Sequence, residues 1–456
     1  MHDDSQQRLD ALADLSQRLL ARCRAQGATQ AEVSCSQERG LNVNVRMGEV
    51  ETVESTRDQG IGITVYFGQR KGSASTADLR DDSLDATVAQ ACAIATFTED
   101  DAASGLADAA QMATPPPDGR WPEFDSWHPW ALDADRAIDL ALASEAAGRS
   151  VDARIGNSDG ASVSSGESLS VYANSHGFIG RERDTHHSIG CALIAGHGDA
   201  MQRDGWYSVA LAESDLESPA AIGRQAAERA LSRLNPRQIP TGEVPVLFAA
   251  EMARSLIGHL LGAVSGGALY RRASFLLDSV DTRIFPDWFA IRERPFLMRG
   301  LRSAAFDSEG VATRESALVE GGVLRRYVLG SYSARKLGLQ TTANAGGVHN
   351  LEVAAHGGSA GGNSFDALLR GMGHGLLVTE LMGQGINIIT GDYSRGAAGF
   401  WVENGTIAYP VDGITIAGNL KAMFGAIEAV GDDVDPRSHI RTGSILVGRM
   451  TAAGSD

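Results

Sequence analysis

The sequence predicts an α+β fold in two domains, an N-terminal domain of mixed helices and antiparallel strands over residues 1–238 and a β-rich C-terminal domain over residues 239–456. Three observations carry this. Helical and strand-like patterns come in separate runs, not in a repeating strand–helix order. The passage Asn235–Gly242 places two prolines and a glycine between a helix and a strand. A chain of 456 residues with 43% hydrophobic content exceeds what one core normally holds.

Leu9, Leu12, Leu15, Leu19 and Cys23 recur at three- and four-residue intervals, so the chain opens with an amphipathic helix. Leu41–Arg46 alternates apolar and polar side chains and Ile61–Phe67 is β-branched and aromatic, which reads as antiparallel strands with a turn at Gly48-Glu49. Leu84, Val88, Ala91 and Ala95 share one face of a second helix, Ser83–Phe97. From Glu99 to Trp130 prolines exclude helix and sheet, yet Trp121, Phe124, Trp127 and Trp130 are costly to leave in water, so an ordered connection is expected. A helix over Asp133–Arg149 precedes strand-like runs around Val151, Leu169, Ile189 and Val209. Ser218-Pro219 supplies a cap and a first-turn proline for a helix ending near Leu234. Val244–Phe248 is a strand, Ala249–Val264 a helix, and the rest is glycine-punctuated and mostly strand-like to Val447.

Bulk properties exclude several functions. A formal charge of -17 opposes recognition of phosphates, so no nucleic-acid partner is expected. No run approaches the roughly 20 apolar residues of a membrane span, and the polar, acidic start MHDDSQQRLD lacks the pattern of an export signal, so the expectation is a cytoplasmic protein off the membrane. Cys23, Cys35, Cys92 and Cys191 lack the paired spacing of zinc or disulfide frameworks and read as reduced, buried thiols.

The C-terminal half contains GHLLGAVSGGALYRRASFLLDS from Gly258, FDSEGV from Phe306, SYSARKLGL from Ser331, TELMGQGIN from Thr379, ITGDYSRGAAGFWVENG from Ile389 and ITIAGNL from Ile414. These strings, with GITVYFGQRKGSAST from Gly62, resemble the TldD/PmbA metalloprotease family in its TldE (PmbA) branch. The resemblance implies a two-domain α+β subunit that pairs with a TldD-type subunit to cleave unfolded peptides. In that partner a His-Glu-x-x-x-His helix and a distant cysteine hold zinc.

Laid on this chain, the motif's final Gly-His falls on Gly258-His259, which puts Arg254 at the first histidine and Ser255 at the glutamate; Thr442 takes the cysteine place. Zinc catalysis needs about three protein ligands and a base for the attacking water. A guanidinium has no lone pair to give, and no cysteine follows Cys191. The resemblance therefore implies that this chain has no cofactor, no catalytic residue of its own and no metal, with His259 the one ligand-type residue retained and zinc on the partner. Residues five apart on an ideal helix differ by about 140°, so even an intact pair would need a local widening of the helix.

Other residues allow other chemistry. His176, His186, His187, Cys191 and His197 form the densest set of possible ligands, but adjacent strand residues such as His186 and His187 point to opposite faces. Ser255 and His259, four apart on a helix, invite a Ser/His nucleophile reading without an orienting acid. Gly258–Gly267 and Gly391–Gly399 match no phosphate-binding pattern and read as tight turns. Tyr270-Arg271-Arg272 and Arg325-Arg326-Tyr327 are basic spots, either ion-paired or in contact with a partner. The alternatives to a supporting subunit are an autonomous metallopeptidase with non-standard ligands and a non-enzymatic peptide-binding scaffold. A homodimer is possible where the partner is absent.

Overall fold

The computed structural model describes residues 4–117, 120–355 and 363–454. The opening helix α1 (Ser5–Ala25) is followed by β1 (Gln30–Arg46), β2 (Glu49–Phe67), β3 (Arg70–Thr76) and α2 (Asp81–Phe97). After the connection come α3 (Ala134–Arg149), β4 (Asn157–Asn174), β5 (Ile179–Ala195), β6 (Gln202–Ala210) and α4 (Pro219–Ser232). The strands form one antiparallel sheet in the order β3-β2-β1-β4-β5-β6. Each half is helix, three strands, helix, and β1 meets β4 antiparallel at the centre, so the second half repeats the first about a local twofold axis.

Both halves bury the same kind of core on the same side of the sheet. Leu9, Leu12, Leu19 and Cys23 of α1 and Leu84, Val88 and Ala91 of α2 cover Val33, Cys35, Ile61, Ile63, Leu169 and Val171. Ala137 and Ala141 of α3 with Ile222, Ala226 and Ala230 of α4 cover Val43, Val45, Val163, Ile189, Cys191 and Leu193. Each such aliphatic side chain contributes about 1.5–3 kcal/mol when fully buried. Both layers pack closely, since a Cβ at Gly72 would lie 2.1 Å from the Ala91 carbonyl oxygen and one at Gly223 1.9 Å from that of Ser144.

The chain then forms β7 (Gly242–Phe248), α5 (Ala250–Ala263), α6 (Gly266–Tyr270), β8 (Phe289–Glu293), β9 (Ser316–Glu320), β10 (Val323–Leu324), α7 (Ser331–Leu337) and β11 (Leu351–Ala355). It ends with α8 (Phe365–Met372), β12 (Gly375–Met382), β13 (Asp392–Glu403), β14 (Thr406–Asn419), α9 (Leu420–Gly425), β15 (Ile427–Val430), β16 (Ile440–Arg441) and β17 (Ile445–Ala453). A sheet ordered β10-β9-β8-β11-β16 packs with a second ordered β14-β13-β12-β7-β17-β15, and β14 also pairs with β17. One core joins them through Phe248, Leu260, Phe285, Phe289, Ile291, Tyr393 and Phe424.

Most sequence-derived elements recur, with the strands longer than alternation alone implied. One reading needs correction. Val151 is in no strand; it follows α3, is exposed, and its amide bonds back to the Gly148 carbonyl. The C-terminal region is mostly strand among its regular elements, as the pattern predicts, with the short helices α6, α7, α8 and α9 set between the strands. Those helices have five to eight residues, too short for a 3.6-residue period to stand out among glycines. In the described part of the connection after Glu99, Trp121 packs on Phe178 and Phe306, Phe124 stacks on Phe296, and Arg183 lies over Trp127.

Candidate functional site

Helix α5 starts where β7 leaves the sheet, with the Ala249 amide held by the Val378 carbonyl of β12. It is a regular α-helix from Ala250 to Ala263, with no widened turn between the motif positions. Those positions therefore face different surroundings.

Arg254 points toward the first sheet. It donates to the Tyr207 hydroxyl at 3.1 Å and lies 3.8 Å from Asp435. Asp435 accepts from Arg437 at 2.8 Å, and the Arg437 guanidinium sits 3.9 Å from the Trp206 ring centre and 4.6 Å from that of Tyr207. Arg437 also reaches Glu251 at 3.3 Å; Glu251 accepts from Arg229 at 2.6 Å, and Arg229 bonds Asp204 at 3.0 Å. The network ties β6 and α4 to the start of α5 and to the loop before β16. Thr442 belongs to the same neighbourhood: its carbonyl accepts from the Asp435 amide at 3.2 Å, and its buried hydroxyl donates to the Gly443 carbonyl at 3.0 Å. Positions 254 and 442 thus meet through Asp435. Ser255 turns its hydroxyl back to the Met252 carbonyl at 2.7 Å.

His259 lies on the other side, edge-on to Tyr393 with ring centres 5.9 Å apart. Its Nε2 and the Tyr393 hydroxyl are both buried without a hydrogen-bond partner. Burial, then the charge of Arg395, pushes the imidazole down to about 4, so it is neutral at pH 7. His439, which sequence reasoning passed over, is likewise pushed down to about 4 by burial and by the charges of Arg302, Arg254 and His349.

The other sequence candidates do not converge. His187 is enclosed, with Nδ1 3.0 Å from the Ser165 hydroxyl and Nε2 2.9 Å from the His128 carbonyl, while His186 is on the opposite, exposed face. His176 and His197 sit in exposed turns, and burial raises the Cys191 thiol to about 12. Among the described residues no three His, Cys, Asp or Glu side chains group as a metal set. Arg326 forms a buried ion pair with Glu293, which His349 and Asn344 also bond, Arg325 pairs with Asp281 and Glu320, and Arg271 lies over the Tyr270 ring. The Ser255–His259 pairing is not formed, because the Ser255 hydroxyl is spent on its own helix.

A cleft of about 1460 Å³ lies between the helix-free face of the first sheet and the loops 300–308 and 345–349. Ser34, Ser36, Gly60, Gly62 and Ser170 keep its floor low, and Glu182 and Asp184 project from one strand. Crowding by the walls, then repulsion from Asp184, raises Glu182 to about 7; crowding and then Glu38 raise Asp184 to about 6, although Asp184 still touches solvent.

Comparison with known proteins defines the class first. Profiles of the PmbA/TldA metallopeptidase family match residues 31–95 as domain 1, 127–234 as the central domain and 241–454 as the C-terminal domain. Metalloprotease PmbA of Escherichia coli O157:H7 is 48% identical over 424 residues, covering 93% of this chain and 92% of that protein. A TldD homolog of Buchnera aphidicola (subsp. Acyrthosiphon pisum) is 21% identical over 394 residues, covering 83% of this chain and 80% of that one. A Bacteroides thetaiotaomicron structure, described as that of a candidate DNA gyrase modulator, superposes with a TM-score of 0.90 at 26% identity, covering 100% of both chains. The fold and these relatives are those of metalloproteases. The chain belongs to the PmbA/TldD metallopeptidase family and is of its PmbA (TldE) type.

Proposed function

We propose that this chain is the supporting subunit of a two-chain peptidase, holding no catalytic metal and completing the chamber and peptide groove of a zinc-bearing, TldD-type partner in the cytoplasm. The observation that carries this is Arg254. A permanent cation, bonded to Tyr207 and beside Asp435, stands at the first ligand position. It has no lone pair for zinc and repels a divalent ion. Ser255 has no carboxylate for the attacking water, Thr442 has no thiolate, and the neutral His259 points into a different environment. The donor set does not fit the zinc site of the related motif. The cleft supports the second part of the reading, since its volume of about 1460 Å³ and its floor of serines and glycines ask little of peptide sequence.

The test is reconstitution with the TldD-type relative from the same genome. The mixture should cleave unfolded casein with one metal per pair, where this chain alone is inactive and, after exposure to zinc and desalting, retains well under one equivalent. His259→Ala should leave metal content and most activity intact, while changing the partner's motif glutamate to glutamine should abolish cleavage by removing the proton acceptor. Stoichiometric zinc with chelator-sensitive cleavage by this chain alone, or loss of the pair's metal in His259→Ala, overturns the reading.

A further inference from the structure

The two halves of the first sheet differ at one place. In each half the outer strand is shorter than its neighbour: β3 pairs with β2 only over Ile61–Phe67, and β6 pairs with β5 only over His187–Ala195. Each longer strand therefore leaves about half its length without a strand beside it. On β5 the chain covers that edge itself. The Trp121 indole donates to the Ile179 carbonyl at 3.0 Å, the Ser126 hydroxyl to the Arg183 carbonyl at 2.8 Å, and the Thr185 amide to the Ser126 carbonyl at 3.0 Å. The covering piece turns at Phe124-Asp125, where the Ser126 amide bonds the Glu123 carbonyl, and immediately precedes the helix that opens its half, α3.

On β2 the equivalent edge, Glu49–Gln59, has no backbone partner on its outer side among the described residues. The outward-facing backbone groups of this stretch are a template for another strand, and folded proteins normally cover or blunt such an edge. Beside it lie Met47, Val50 and Val53, exposed by 42%, 45% and 46%, an apolar strip of the kind that marks an interface. The same stretch carries Glu49, Glu51, Glu54 and Asp58 against the single Arg57. Only Glu51 among these carboxylates has a cation near it in the described structure, Arg46 at 4.0 Å. Self-pairing would set this acidic edge against its own copy in a chain of formal charge -17.

We propose that the outer edge of β2, Glu49–Gln59, docks an extended segment of a different subunit, one that adds a strand there, places an apolar side chain on Val50 and Val53, and carries Lys or Arg opposite Glu51, Glu54 and Asp58. It does for the first half what Trp121–His128 does for the second. The inference rests on the two-subunit reading above and gives that complex a contact on this chain.

Hydrogen–deuterium exchange of the wild-type chain, alone and mixed with the TldD-type relative, tests it. The amides of 49–59 that face outward should exchange rapidly in the free chain and become protected by tenfold or more in the complex. The Glu51→Lys/Glu54→Lys/Asp58→Lys variant, changed only at exposed positions, should keep the circular dichroism and melting temperature of the parent while binding the relative about tenfold more weakly. A photo-crosslinker at Val53 should capture a partner segment containing Lys or Arg. A complex that forms without protection at 49–59 and binds the triple variant as tightly as the parent overturns the docking edge and leaves the two-subunit reading standing. Failure of the wild-type chains to associate overturns both, and protection that appears only as this chain self-associates assigns the edge to a second copy instead.

Discussion

The two faces of helix α5 took the same lost motif in opposite directions. On one face Arg254 was built into a charged and aromatic seam that joins the two parts of the molecule through Tyr207, Asp435 and Arg437. On the other, His259 retains the side chain of a ligand but sits edge-on to Tyr393 with its Nε2 buried and without a hydrogen-bond partner. The residue that looks most like a relic of metal binding is thus the less integrated of the two, and the apparent misfit is the one the structure depends on.

The charged face should give the largest effect. Arg437→Ala leaves Asp435 buried with its main partner gone and removes the stacking on Trp206, which should cost about 3–5 kcal/mol in urea unfolding. Burial alone would raise the Asp435 pKa, but the hydrogen bonds and charge of Arg437, then the charge of Arg254, hold it below the ordinary carboxylate value. A depressed folded-state pKa gives stability that is present above the unfolded value of about 4 and is lost as pH falls through the folded value. The acid-unfolding midpoint of Arg437→Ala should therefore move to higher pH, and an unchanged midpoint would show that Asp435 depends on other groups.

The His259 face should show in an adjacent, higher pH window, with the same direction of effect. With the His259 pKa near 4 when folded and about 6.5 when unfolded, the unfolded chain binds the extra proton between those values, so stability falls as pH drops through them. His259→Leu should remove this part of the slope between pH 7 and 4; a slope identical to the parent's would mean that the imidazole is hydrated after all. Smaller changes are expected from Arg254→Met, which removes a part-exposed hydrogen-bonded cation and should cost about 1–2 kcal/mol by thermal melting. Ser255→Ala should come last, within about 1 kcal/mol and with the activity of the reconstituted pair unchanged, because its hydroxyl bonds only the Met252 carbonyl. A large loss of activity in Ser255→Ala would restore a nucleophile reading.

Local chemistry explains which parts were legible. The face of α1 was plain because Leu9, Leu12, Leu15 and Leu19 follow the helical period, and the Ser218 cap was plain because a serine before a proline has few other uses; its side chain accepts from the Ala221 amide. The lost ligands at positions 254, 255 and 442 were readable because a guanidinium and two hydroxyls cannot do the work of imidazole, carboxylate and thiolate in any fold. What β5 and β2 lay against was not readable, because strand pairing at a distance leaves no mark on either strand's own period. The repeat of the first half in the second escaped for the same reason. The two halves share a layout of elements rather than a pattern of residues, since α1 presents leucines where α3 presents alanines.

The sequence by itself determined the α+β class, the separate helices and strands, the family and the residue types at the motif positions, since each depends on local period or on the chemistry of single side chains. Only the tertiary structure decided that Arg254 is engaged by Tyr207 from the first sheet and Asp435 from the last loop, that the His259 Nε2 is buried without a partner, and that one half of the sheet is edged by the chain itself while, among the described residues, the other half is not. Those outcomes depend on which distant groups share a small space, because burial, charge pairing and free backbone amides acquire their energies only once the chain has closed around them.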